Sequence, residues 1–262
     1  MFKVVKKNLY EKYTDIFGNL NLLTTYKYAF DNHLGRLEVD NFENPEYARF
    51  FFGDLMFFAG KANKKRAEEI LATFPPLVAI VVEDKEWYQL IENFFLSKEG
   101  IKFGQQNRIK FSSDSLSIEH LFSLMKPLPD GFYLKKITKK ILENLPPTLR
   151  EHIPPCFGSN KNFLKKGMGF CILDDDKTIS MASSYIPIYN NQLEVQIVTL
   201  DDPQYRRKGF ATAACVALLK YCLENNLTPE WDAQNEESQG LAKKLGYTEK
   251  EKWKMYYYIE IK

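Results

Sequence analysis

The chain reads as an α/β protein built on a mixed sheet, and three features of its 262 residues predict this. Residues 193–200 (LEVQIVTL) are mostly aliphatic or β-branched, and after a break at Asp201-Asp202-Pro203 a helical pattern runs over 209–226. Residues 228–233 (TPEWDA) repeat the strand pattern, ahead of a second helical pattern that opens at Asn235. The first half alternates in its own right: helix over 22–32, strands over 35–39, 48–52 and 55–59, helix over 63–73, strand over 77–82, helix over 87–96. Alternation of this kind covers a sheet with helices.

Composition sets the outer limits. Apolar residues make up 45% and aromatics 15%, enough for a sizeable core and against wholesale disorder. The length suits one large domain or two ordinary ones. A net charge of +2 argues against a protein whose main business is nucleic acid. The longest clear apolar run, 75–82, is eight residues, and the first residues (MFKVVKKNLYEKY) are too charged for a signal peptide. Cys156, Cys171, Cys215 and Cys222 form no C-x-x-C pair, and Cys215 and Cys222 fall on one helix as small apolar groups. A cytoplasmic, soluble protein away from membranes is the expectation. His33, His120 and His152 are scattered without ligand spacing, so no metal is expected.

The best linker is 126–131 (KPLPDG), which divides the chain into an N-terminal α/β domain, 1–126, and a second domain, 131–262. Past it, a strand over 132–137 precedes short helices over 139–145 and 147–152. Residues 169–173 and 179–189 form an antiparallel pair around the turn Asp174-Asp175-Asp176. The helix after Gly209 carries Ala214, Ala217, Leu218, Tyr221 and Cys222 at helical spacing, its alanines permitting close approach to a sheet. The aromatic run over 252–261 closes the second domain as a strand, with Tyr256, Tyr257 and Tyr258 packing at core and rim. Lys135, Lys136, Lys139 and Lys140 read as a solvated basic face.

The chemistry concentrates at Tyr205-Arg206-Arg207-Lys208-Gly209-Phe210-Ala211, the junction of strand and helix. Glycine there lets the backbone approach a ligand, the first free N–H groups of the helix favour an anion, and three cations stand beside them. That is a cradle for a pyrophosphate.

Arg206-x-x-Gly209-x-Ala211 resembles the Arg/Gln-x-x-Gly-x-Gly/Ala loop of the GNAT acetyltransferase superfamily. Asn235-x-x-Ser238-x-x-Leu241, ending in Leu245-Gly246-Tyr247, is similar to that family's Asn-x-x-Ala-x-x-Leu-Tyr-x-x-x-Gly-Phe helix. The order of elements over 131–262 fits the same fold. The run from Arg206 to Ala213, with Trp231-Asp232 and Asn235, resembles an extended subgroup that includes zwittermicin A resistance acetyltransferases. The first half, whose junction Ala59-Gly60-Lys61-Ala62-Asn63 lacks the loop spacing, reads as a degenerate GNAT-like copy without coenzyme that shapes the acceptor cleft; an unrelated α/β extension is the alternative.

The resemblance implies acetyl-CoA as acyl donor and an amine of a small acceptor. It implies that backbone groups of Val198, Thr199 and Leu200 meet pantetheine where the strands at 194–200 and 228–233 splay. It implies that Arg206, Arg207, Lys208, Gly209, Phe210, Ala211 and Thr212 hold the pyrophosphate, and that Asn235 and Ser238 reach the pantetheine side. Glu194 occupies the place of a general base, with Asp232 and Glu236 as rival carboxylates. The family's usual general acid, a tyrosine, is replaced by Ala242. The thiolate then leaves with help from Ser238, water or one of Tyr256 to Tyr258, or unassisted. A non-catalytic acyl-CoA sensor, an aminoacyl transferase of the tandem type and a plain scaffold remain as alternatives. A homodimer also stays open.

Overall fold

The computed structural model describes every residue except Asn19, Pro154 and Lys262, and all side chains but theirs and that of Pro155. In chain order the elements are β1 (Lys3–Val4), a 3-10 helix (Lys7–Ile16), α1 (Leu23–Asp31), β2 (Arg36–Val39), β3 (Ala48–Phe52), β4 (Leu55–Ala59), α2 (Ala67–Leu71), β5 (Ala79–Val82), α3 (Trp87–Leu96) and β6 (Ile101–Ser112). Next come α4 (Ile118–Ser123), β7 (Phe132–Lys136), α5 (Lys139–Glu143), α6 (Pro147–Arg150), a 3-10 turn (Pro155–Phe157), α7 (Asn160–Lys166), β8 (Gly169–Asp174) and β9 (Lys177–Ser184). The chain ends through β10 (Gln192–Thr199), α8 (Phe210–Glu224), β11 (Thr228–Ala233), α9 (Glu236–Leu245) and β12 (Thr248–Glu260).

Two compact units result, one of Met1–Arg108 with Lys252–Lys262, the other of Ile109–Glu251. The expected linker at 126–131 therefore lies inside the second unit. The reason is a pair of strands that cross the boundary. The last part of β6 pairs with β11, Phe111 opposite Trp231, whereas β12 pairs with β5 in the first unit, Tyr256 opposite Ile80. A linear cut at a proline-rich loop does not register such an exchange.

In the first unit the strand order is β1-β2-β3-β4-β5-β12-β6. Strict alternation sends Phe50 and Phe57 to one face, with Tyr10, Phe30 and Trp253, and Met56 and Phe58 to the other, with Trp87, Tyr256 and Tyr258. The parallel pair β4–β5 is fully in register, from Leu55↔Ala79 to Phe58↔Val82. The expected helix over 63–73 shortens to α2 because the Asn63 side chain accepts the Lys65 N–H and starts a turn instead.

In the second unit the order is β6-β11-β10-β9-β8-β7. One face carries α8, whose Ala213, Ala214, Leu218 and Cys222 pack with Leu193, Val195 and Ile197 of β10. Cys215 and Cys222 are both fully buried there, and all four cysteines are free. The opposite face carries α5 to α7, whose Leu142, Leu149 and Phe163 pack with Cys171, Met181 and Val198. The strand expected to reach 189 ends at Ser184. Beyond Pro187 the chain makes a two-residue turn, with Asn190 and Asn191 both left-handed and Tyr189 bridged to Gln192. Two helices absent from the sequence reading, α4 and α7, each start at a serine cap, Ser117 and Ser159.

Tyr256 is fully buried and its hydroxyl donates to Glu92 Oε1 at 2.7 Å. Tyr256→Ala is expected to lower the unfolding free energy by about 3–5 kcal/mol, the range for emptying an aromatic core position, read from urea denaturation curves.

Candidate functional site

The site begins where β10 leaves β11. Their parallel register runs Gln192↔Thr228, Leu193↔Pro229, Glu194↔Glu230 and stops. Beyond it, β10 stays with β9 through Val195↔Ser184 to Thr199↔Ser180, while β11 stays with β6 through Trp231↔Phe111 to Ala233↔Ile109. Each strand is held by its other neighbour, so a gap opens between them. Glu194 O accepts the Tyr185 N–H at 2.7 Å and Leu200 N–H donates to Ile179 O at 2.8 Å, so even-numbered residues spend their backbone groups on β9. Alternation turns the groups of Val195, Ile197 and Thr199 toward the gap. Of the backbone trio expected from the sequence, Val198 and Leu200 face β9, and Thr199 faces the gap.

The loop after β10 is pinned at Tyr205, which is buried and donates its hydroxyl to Asp174 Oδ2 at 2.7 Å. Asp202 caps the turn by accepting the Gln204 N–H. Arg207 and Gly209 both adopt left-handed backbone, φ 57° and 86°. A Cβ built on Gly209 would meet no atom within 4 Å, so open space lies in front of it. Among the described residues no side chain caps α8, and its first internal bond joins Ala213 N–H to Gly209 O at 2.9 Å. The N–H groups of Phe210, Ala211 and Thr212 thus lack helical acceptors. Phe210 itself anchors the helix, stacked on Phe132 at 4.7 Å.

The charges around this turn differ from the expected set. Arg206 is ion-paired with Asp201 at 2.9 Å, both exposed. Lys208 is exposed. A cation that the sequence reading did not single out, Lys244 at the end of α9, donates to Thr212 Oγ1 at 3.1 Å in the first turn of α8. A basic residue in the last turn of a helix is common, which is why spacing alone did not mark it.

Asn235 is the cap of α9, its Oδ1 accepting the Ser238 N–H at 2.8 Å, which leaves its amide nitrogen as donor. Ser238 Oγ accepts from Trp231 Nε1 at 3.1 Å, leaving its own O–H to donate. Ala242 is fully buried in the α8 core. Tyr247 is buried and donates to Pro229 O at 3.2 Å. Tyr256 and Tyr258 belong to the first unit's core, their hydroxyls held by Glu92 and Phe74.

On the α5–α7 face of β10 stand Glu194 and Gln196, both half-buried. The carboxylate of Glu194 adds to the effect of burial on Cys156, whose thiol is pushed up to about 11. The Gln196 side-chain nitrogen lies 3.2 Å from His152 Nδ1. His152, isolated in the sequence, is therefore part of this face. Among the described residues no cluster of His, Cys, Asp and Glu could hold a metal ion, and no helix is long and apolar enough to cross a membrane.

The hydrogen bond to Asp174 raises the Tyr205 hydroxyl to about 12. An unfolded tyrosine ionises near pH ~10, so this bond stabilises the fold below that value and its contribution is lost between about 10 and 12. Tyr205→Phe is expected to lower stability at pH 8 and to flatten the alkaline decline, as read from melting temperatures across that range.

Comparison with known proteins bears on this geometry. The GNAT acetyltransferase family model matches residues 18–256. The uncharacterized N-acetyltransferase YdfB of Bacillus subtilis (strain 168) is 30% identical over 155 residues, 58% of this chain and 57% of that protein. The matched segment thus spans little more than half of that relative. The crystal structure of a GCN5-related N-acetyltransferase-like protein from Streptococcus suis superposes with a TM-score of 0.74 at 26% identity, over 96% of this chain and 99% of the other. A tandem GNAT protein from the clavulanic acid biosynthesis pathway, solved without AcCoA, shares the fold with a TM-score of 0.63 at 10% identity, over 99% and 98%.

Proposed function

We propose, from the premise that this chain belongs to the GNAT acetyltransferase family and is an acyltransferase, that it transfers acetyl from acetyl-CoA to an amine of a small acceptor. The observation that carries the reading is the parting of β10 from β11 after Glu194↔Glu230. It leaves extended backbone with donors and acceptors turned to an open edge, which suits the amides of a pantetheine arm. The bare start of α8 supports the same ligand. Its free N–H groups, the open space at Gly209 and the ammonium of Lys244 suit a diphosphate. The thioester supplies the activated acetyl carbon.

The chain's residues then have four tasks. Val195, Ile197 and Thr199 align the arm along β10, with Asn235 donating from the far side. Gly209, Phe210, Ala211 and Thr212, with Arg206, Arg207, Lys208 and Lys244, hold the diphosphate. Glu194, on the α5–α7 face at the mouth of the gap, takes a proton from the incoming ammonium directly or through water. Ser238 has an O–H free to donate toward the departing sulfur, since its oxygen already accepts from Trp231.

The first unit reads as a degenerate copy without coenzyme. Its parallel pair is closed along its length, a Cβ on Gly60 would meet Glu46 O at 2.4 Å, and Asp84 Oδ2 already accepts the Ala62 N–H at 3.0 Å. We place the enzyme in the cytoplasm, with its acetyl donor.

Calorimetry with acetyl-CoA tests the reading, and a wild-type protein that shows no binding ends it. Gly209→Asp should weaken binding at least about 100-fold by crowding and repelling the diphosphate, and Lys244→Glu by about tenfold or more. Glu194→Gln should cut turnover by about 10²-fold or more with partial recovery at higher pH, where more amine is neutral. A wild-type, pH-independent rate would remove Glu194 from the mechanism.

A further inference from the structure

We propose that one rung of the sheet, Phe132↔Asp174↔Lys177, positions the turn that receives the diphosphate, by holding Tyr205 at its start and Phe210 at its end. The rung thereby sets the affinity for ligands that carry a diphosphate, which rests on the acetyl-CoA reading above.

The turn does not hold itself. Among the described residues neither Arg207 nor Lys208 makes a backbone hydrogen bond, and Gly209 makes one only through its carbonyl, from Ala213 N–H. Arg207 nevertheless keeps left-handed backbone at φ 57°, which a residue with a Cβ disfavours. The Arg206–Asp201 ion pair is exposed on both sides, and the hydrogen bonds of Asp202 run to Leu200, Gln204 and Tyr205. Those contacts stay within residues 200–206 and leave 207 and 208 unsupported.

Support comes from outside, at the two residues that bracket the turn. Tyr205 donates its hydroxyl to Asp174 Oδ2 at 2.7 Å, and Lys177 Nζ lies 5.4 Å from the centre of the same ring. Phe210 stacks on Phe132 at 4.7 Å. The three holders share one register line. Phe132 pairs with Asp174 across β7–β8, and Asp174 with Lys177 across β8–β9. Directly paired residues project to one face, here the face that carries α8. The rung is itself braced, since Phe132 N–H donates to Pro129 O and Asp175 N–H to Gly131 O, both at 3.1 Å. Tyr205 and Phe210 are 4% and 1% exposed, so neither end of the turn drifts without opening the core.

Residues 206–209 therefore span two fixed points, and their amides are preset for an anion. Release of one end lets Arg207 relax to the common right-handed region, and the fraction of molecules with a formed cradle falls. Apparent affinity falls by that fraction, but only for a ligand that uses the cradle. A pantetheine arm along β10 does not use it. Phe132, Asp174 and Tyr205 are thus positioning residues that act through the turn.

The test compares acetyl-CoA with S-acetylpantetheine, which has the same arm and thioester but no diphosphate, in 1H–15N NMR titrations. Tyr205→Phe and Asp174→Ala should each raise the Kd of acetyl-CoA about tenfold and leave that of acetylpantetheine unchanged. The double variant should be no weaker than either single one, because both remove the same hydrogen bond. Asp174→Asn, whose amide oxygen still accepts, should bring the Kd back to within about threefold of wild type. Melting curves check that each variant is folded, and Asp174→Ala is read alone should Tyr205→Phe not fold. Equal loss for both ligands, or unchanged acetyl-CoA affinity in the folded variants, overturns the positioning role. Equal wild-type affinity for the two ligands overturns it as well, since the turn then holds no diphosphate. A wild type that binds neither ligand removes the acetyl-CoA reading itself, and this inference with it.

Discussion

Backbone hydrogen bonding at one point, the last pair between β10 and β11, shapes the candidate site of the second unit. A buried strand ordinarily satisfies both of its edges, and an unmet N–H or C=O is expensive. Here β10 keeps one edge on β9 through Thr199↔Ser180 and releases the other after Glu194. β11 is drawn the opposite way onto β6. The result is an edge inside a sheet, protected from the aggregation that threatens an outer edge and available to an extended ligand. Because side chains alternate, the same strand offers backbone to the gap, Ile197 to the α8 core and Glu194 and Gln196 to the opposite face.

The helix α8 completes the arrangement through its small residues. Ala213, Ala214 and Cys215 let it lie close to the sheet, in one core with Leu193, Val195 and Ile197 of β10. Tyr205 and Phe210, both buried, fix the loop and the helix start on either side of Gly209, whose own backbone stays left-handed and uncovered. The anchoring lies in the core and the openness in the glycine.

The first unit shows the same kind of parallel pair under the opposite constraint. β4 and β5 pair along their full length, and Glu83 N–H continues the ladder to Phe58 O at 3.1 Å. At its junction Gly60 is covered by Glu46 and Tyr47, its carbonyl accepts the Trp87 indole N–H at 2.8 Å, and Asp84 accepts the Ala62 amide. A carboxylate of the chain itself stands where an anion would be welcome. Large aromatic side chains fill both faces, a composition that favours packing over an opening.

Local pattern was enough to find most of these elements. β11 begins and ends at Thr228 and Ala233, and α3 at Trp87 and Leu96, as the sequence reading has them, because alternating apolar positions (Pro229, Trp231, Ala233) and helical apolar spacing are written along the chain. The glycine junction at the head of α8 was legible too, as was the aliphatic strand before it; the left-handed backbone of that glycine is a finding of the structure. β6 was not, since IKFGQQNRIKFS carries polar residues on both faces and no clean alternation. The exchange of β6 and β12 between units, the end of the β10–β11 ladder, the reach of Lys244 to Thr212 and the meeting of Gln196 with His152 all join residues distant in sequence. The chain by itself determined which segments are strand or helix and where a glycine turn joins strand to helix, because those depend on neighbours along the backbone. Tertiary structure alone decided which strands part and which side chains share a face, because those depend on competition among long-range pairings that local pattern does not encode.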